Sequence, residues 1–185
     1  YQTFWRRFGG PTTYDYTDPS FPSPPAGCDV TAASGKACYV SGTLTVSGNW
    51  NIPSGSYVFL VDGDVVINGS ITLSGTGFVA VIAKGNITVS PSVGVPYSSS
   101  NPVVEGIYIT SPLGTFHTGA SVAGTERFVG KGSFIAGDFR LERDLEVVNQ
   151  NTTTASELFL YNPRLLIAMP DAMKDLPVTW EEVAP

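Results

Sequence analysis

Charge is scarce in this chain of 185 residues: Asp, Glu, Lys and Arg make up 14% of it, against roughly 25% in ordinary soluble domains. Hydrophobic residues nevertheless reach 42%, which excludes a disordered chain, since such chains are charge-rich and apolar-poor. Ten basic residues face sixteen acidic ones, a net charge of -6, and only Arg6 and Arg7 adjoin. Phosphate binding needs a positive surface, so nucleic acid is not an expected partner. No apolar run approaches the roughly 18 residues that a spanning helix requires. Neither an initiating Met nor a signal-type segment is present, so a mature or trimmed product is expected, with any targeting element upstream.

Metal-ligating residues are nearly absent too. His117 is the one histidine, and Cys28 and Cys38 are the only cysteines. No zinc constellation, phosphate loop, cofactor fingerprint or calcium loop can be assembled, so neither metal nor cofactor is expected. The two cysteines, ten positions apart, favour a disulfide over a pair of buried thiols, and a disulfide implies an oxidising, extracytoplasmic setting.

What is plentiful is the short β-branched run bounded by Gly, Ser, Asn or Asp. Five segments align: VFLVDGDVVI from Val58, AVIAKGNITV from Ala80, IYITSPLGTF from Ile107, SFIAGDFRLE from Ser133 and LFLYNPRLLI from Leu158. Their anchors Leu60, Ile82, Ile109, Ile135 and Leu160 are 22, 27, 26 and 25 residues apart, and Val40 offers a sixth, degenerate rung. A repeat of this length made only of strands and turns leaves no room for the helices of helical solenoids. It fits a right-handed parallel β-helix of about five to six coils, with equivalent residues stacked about 4.8 Å apart. Gly63, Gly85, Gly114 and Gly137 mark one corner, where a left-handed or tight backbone is needed; Asn162-Pro163 departs from it. An antiparallel sandwich or jelly roll is the alternative, with Asp62-Gly63-Asp64 and Lys84-Gly85-Asn86 as hairpin turns. The longer intervals place surplus residues in bulges at Pro91 to Asn101 and Gly119 to Arg127.

Four regions are expected. Residues 1–27 form an aromatic, proline-rich arm, 28–39 a cysteine loop, 40–166 the β-helix, and 167–185 a C-terminal cap with Leu176 and Trp180 packed on the last coil. Tyr1, Phe4, Trp5 and Phe8 would be a sticky patch if left in water. They either cap the first coil of their own domain or dock on a neighbour, so with Trp180 they are the candidate subunit interface.

From about Val40 onward, VFLVDGDVVING, GFVAVIAKGNITVSPSVG, EGIYIT, FVGKGSFIAGDFRLERDL, ELFLYNPRLLIAMPDAMKDLP and TWEEVAP resemble a group of uncharacterised surface proteins of small uncultured bacteria. The resemblance covers about four fifths of the chain and implies secretion and β-helical architecture. It brings no catalytic motif, and residues 1–39 lie outside it.

Three functions compete. A non-enzymatic extracellular structural protein, associating head to tail into filaments or a surface layer with the arm as a clasp, is the leading expectation; its partner is then itself. A surface adhesin would bind cell-surface glycans, with Trp50, Tyr57, Tyr97, Tyr108 and Tyr161 as possible stacking residues. A β-helical polysaccharide lyase or hydrolase would need paired carboxylates, for which Asp62, Asp64 and Asp138 are the candidates, with Lys84 and Arg164 at equivalent corners. These charges also read as ordinary turn residues, and Arg140, Glu142, Arg143, Asp144 and Glu146 as one side of a half-exposed strand. Asn68, Asn86 and Asn151 begin glycosylation-type triplets.

Overall fold

The computed structural model describes residues 1–8, 14–120 and 126–174. The chain winds as a parallel β-solenoid of about five turns. One face stacks β1 (Tyr14–Thr17), β3 (Cys38–Ser41), β6 (Ser56–Val61), β9 (Phe78–Ala83), β12 (Val104–Ile109), β14 (Glu126–Ile135) and β16 (Glu157–Leu160). A second stacks β2 (Ser20–Phe21), β4 (Leu44–Val46), β7 (Val65–Ile67), β10 (Ile87–Val89), β13 (Thr115–His117) and β15 (Asp138–Arg140). The third is short: β5 (Trp50–Ile52) pairs β8 (Ile71–Leu73), which pairs Val104 of β12.

The repeat seen in the sequence is the coil. Leu60 pairs Ile82, Ile82 pairs Ile109, and Ile109 pairs Ile135. The corner glycines stack as a ladder in which the Gly85 N–H donates to the Gly63 carbonyl at 2.9 Å and that of Gly137 to Gly114 at 3.0 Å. Gly63, Gly85, Gly114 and Gly137 lack a positive φ, so they are needed for close approach between coils rather than for left-handed backbone.

Two register expectations fail, both at the ends. Leu60 lies opposite Tyr39, one residue from Val40. Leu160 lies opposite Lys131, four residues short of Ile135. At the last coil Pro163 has no N–H to enter the corner ladder, and the chain leaves through α2 (Arg164–Ala168). Arg164 therefore does not join the charged corner; its guanidinium donates to the carbonyls of Gly75 and Gly77.

The proline-rich arm also needs correction. β1 and β2 pair in parallel with β3 and β4, so the solenoid starts at Tyr14 rather than at residue 40. Pro19 and Pro22 flank a two-residue strand at the sheet edge, where a missing N–H is tolerated. The surplus of the second interval, between Ile82 and Ile109, folds back as β11 (Val95–Pro96), antiparallel to the start of β14.

Inside the bore, alternate residues of each strand form the core: Cys38, Phe59, Val81, Tyr108 and Phe134 on the first face, and Leu44, Val65, Ile87 and Phe116 on the second, where Phe139 continues the row at an exposed end. The anchors Leu60 and Ile82 point the other way. With Val58, Phe78, Ala80 and Ile107 they form an apolar strip on the outside of the first face. That strip is covered by Tyr1, Phe4, Trp5 and Phe8, around α1 (Gln2–Arg7), together with Leu165, Ala168, Met169 and Met173 from the C-terminal side. The first and last described segments meet there, Arg7 donating to the Lys174 carbonyl at 3.2 Å.

Cys28 and Cys38 are joined by a disulfide with both residues buried. Beside it, Asp29 accepts hydrogen bonds from the Thr31 amide (3.0 Å), the Thr31 hydroxyl (2.6 Å) and the Ser56 amide (2.8 Å). Burial pushes its pKa up, but these donors to the ionised form outweigh burial and leave it below the usual value. The stability that this carboxylate contributes is complete above the unfolded value, about 3.9, and is lost as pH falls through the lower folded value. Denaturant melts across the acid range should show Asp29→Asn less acid-sensitive than the parent; parallel profiles would disprove the role.

Candidate functional site

The corner carboxylates each hold their own partners. Asp62 accepts from the Tyr39 hydroxyl at 3.0 Å and pairs with Lys84. Asp64 accepts the Asn86 amide of the next coil at 2.7 Å, and Asn86 in turn accepts that of Thr115 at 2.9 Å. Asp138 accepts the amide of its neighbour Phe139 at 2.9 Å. Three coil steps separate Asp64 from Asp138 along the stack, about 14 Å at ladder spacing, whereas paired glycosidase carboxylates stand roughly 5 to 9.5 Å apart. Asp64 and Asn86 instead satisfy corner amides that the strand ladders leave over. His117 contacts Glu142 at 3.1 Å on the outside of the second face.

The expected half-exposed strand beyond Arg140 is not there. β15 stops at Arg140, and Arg143 turns inward. Its guanidinium donates to the carbonyls of Thr118 (2.8 Å), Val93 (2.8 Å), Ser90 (3.1 Å) and Pro91 (3.2 Å). Burial pulls its pKa down, opposed by Glu157 and Glu126. It staples the loop carrying β11 to the coil below, and the alternating charges around it give no hint of this in the sequence.

Of the stacking aromatics, Trp50 and Tyr108 are core residues, their polar atoms donating to the carbonyls of Phe21 and Glu105. Tyr57 and Tyr97 are partly buried, and Tyr161 is exposed. Asn68, Asn86 and Asn151 are all exposed. The Asn151 amide bridges the Leu145 N–H and Asp144.

The feature best suited to recognition is the lower end of the solenoid. Going down the second face the inward residue changes from Val65 and Ile87 to Phe116 and Phe139, and the first face ends with Phe134. Phe159 of β16 joins them: its ring lies 5.1 Å from Phe134 and 5.4 Å from Phe128. This aromatic plate is uncovered among the described residues. Ile135 is 56% exposed, Phe139 41%, Leu141 49%, Phe159 37% and Tyr161 66%, around a hollow of about 720 Å³. β16 pairs only Phe128 to Lys131 of β14, so Gly132 to Ile135 have no lower partner strand among the described residues, nor has β15.

At the upper end, β1 and β2 likewise pair on one side only among the described residues. Tyr16 and Phe21 are the inward aromatics there, in edge contact at 5.0 Å. The corner phrases Gly114-Thr-Phe116 and Gly137-Asp-Phe139, set against Gly63-Asp-Val65 and Gly85-Asn-Ile87, are the signal that could have located the plate.

Tyr1, Phe4, Trp5 and Phe8 belong to neither end. They lie along the side of their own solenoid, because the outward residues of β6, β9 and β12 are apolar and bury themselves against these rings. Leu176 and Trp180 lie outside the described residues. No helix among those described is long and apolar enough to cross a membrane. The chain matches no protein-family model, no curated protein and no solved structure.

Proposed function

We propose that this chain is a non-enzymatic structural protein of the cell exterior that associates head to tail into filaments or a surface layer. The reading rests on the lower end, where exposed aromatic and aliphatic side chains adjoin strands with unused ladder edges. An exposed edge beside apolar surface invites pairing with another chain. A second copy displaced along the solenoid axis brings its β2 beneath β15 and its β1 beneath the free part of β14. Parallel pairing and inward stacking then continue across the junction, with Tyr16 and Phe21 against Phe134, Phe139 and Phe159. Translation does not close on itself, so the product is an open polymer.

The disulfide supports an oxidising compartment, and the resemblance to bacterial surface proteins points the same way. The junction proposed here needs no clasp from the N-terminal arm, whose aromatic residues are engaged on their own domain.

Electron microscopy and light scattering of the purified chain provide the test. Filaments are expected with an axial repeat near 29 Å, which is one second-face stack of six strands at about 4.8 Å each. Ile135→Lys combined with Phe159→Lys should leave a folded monomer. A chain that stays monomeric at every concentration, or a double variant that polymerises like the parent, would refute the reading. Polymerisation only after removal of residues 175–185 would make that segment the occupant of the plate, and would also refute it.

A further inference from the structure

A second recognition feature lies on the flank, away from both ends. Tyr1 and Trp5 are four residues apart, so one helical turn puts them on the same side of α1; their rings are nearly parallel, 6.4 Å apart and 16° inclined. Trp5 meets Tyr39 edge-on at 4.7 Å. Tyr39 is an outward residue of β3, Asp62 stands at the corner of the next coil, and Lys84 at the corner after that. These five residues line a hollow of about 230 Å³.

Its polar groups are prearranged. Asp62 accepts from the Tyr39 hydroxyl and pairs with Lys84, and the Lys84 ammonium lies 4.8 Å from the centre of the Tyr1 ring. The Tyr1 phenol oxygen is buried without a hydrogen-bond partner among the described residues. Burial, with Tyr39 and Asp62 nearby, holds that phenol protonated far above its ordinary range, so it remains a donor.

From this arrangement we infer that the hollow binds one pyranose unit of a neutral glycan. Binding sites of this kind combine an apolar wall with a few fixed polar groups. The aromatic faces match the C–H face of a sugar ring, and Tyr and Trp supply apolar area beside a polar edge. The charge of the site selects against ions of either sign: a carboxylate ligand meets Asp62, an ammonium ligand meets Lys84, and each loses on one what it gains on the other. Neighbouring hydroxyls suit both at once, one donating to Asp62 and the next accepting from Lys84. The site faces sideways, so it stays accessible when copies stack end to end, and its existence does not depend on that stacking.

Saturation-transfer NMR with cellotriose, chitotriose and maltotriose, and with trigalacturonate as the anionic control, tests the inference. At least one neutral trisaccharide is expected to bind with millimolar or tighter affinity, and trigalacturonate more weakly. Asp62→Asn and Lys84→Met, both checked for an unchanged melting temperature, should each weaken binding roughly ten-fold by removing one hydrogen bond to a charged group. Tyr39→Phe, which keeps the ring, should weaken it less. Absence of binding to all three neutral sugars, equal binding of trigalacturonate, or affinity unchanged in Asp62→Asn and Lys84→Met would overturn the assignment.

Discussion

Arg143→Met is expected to lower stability by roughly 3 to 5 kcal/mol, because it removes a charged donor from buried carbonyls. The Thr118 and Val93 oxygens, each 2.8 Å from the guanidinium, are the deeper pair. An unsatisfied buried acceptor costs about 1 to 3 kcal/mol, so these two alone account for most of the loss. Those of Ser90 and Pro91 are partly exposed and can recruit water. Arg143→Lys should recover only part, since an ammonium on a flexible stem cannot address four carbonyls held by a planar fork. Urea denaturation reads the stability, and hydrogen exchange should show the loop from Ser90 to Val103 opening first. A loss below about 1 kcal/mol would mean that the staple is dispensable.

Gly63→Ala should be nearly as damaging without removing any polar group. A Cβ at this corner would come within 2.8 Å of the Gly42 carbonyl carbon and 3.2 Å of its Cα. Both belong to the backbone of the coil above, and strand pairing on either side holds the two coils at ladder spacing. The clash cannot be relieved by rotating a side chain, so one coil must tilt. Overpacking of this kind costs about 1 to 3 kcal/mol, and the upper part of that range applies where the opposing atoms are backbone. Circular-dichroism melts of Gly63→Ala against an exposed corner variant, Asn68→Ala, make the comparison; equal melting temperatures would show that the ladder has slack.

The solenoid was legible because its corners impose the same requirement each time. Gly63, Gly85, Gly114 and Gly137 recur for want of space, and the anchors from Leu60 to Ile135 hold one register. Its ends were less legible for a physical reason. Pro19 and Pro22 look like strand breakers, yet at a sheet edge they cost nothing, so the first coil reads in the sequence as part of the arm. Pro163 does divert the chain, which pulled the last register four residues away. The outward strip of Val58, Leu60, Ala80 and Ile82 reads as core in any strand buried on both faces, since periodicity cannot say which side is the bore. Arg143 sits among charged neighbours like a solvent-facing residue, and its burial is made by a loop some fifty positions earlier. Among the site residues, the disulfide and the turn roles of Asp62, Asp64 and Asp138 were within reach of sequence reasoning. The lower plate needed the coils to be stacked before Phe116, Phe134, Phe139 and Phe159 could be seen to converge.

In a stack of coils each rung touches only its neighbours, and such arrays can melt piecemeal from an end. Here the aromatic residues from Tyr1 to Phe8 and the apolar residues from Leu165 to Met173 lie together across the outer surfaces of β6, β9 and β12. Fraying of either segment therefore uncovers the middle of the molecule, and residues 1–8 and 165–173 must come undone together. The strap turns a one-dimensional ladder into a single calorimetric unit: one sharp heat-absorption peak rather than a broad succession of rungs, with the N-terminal helix and the C-terminal turn released at the same temperature as the central strands.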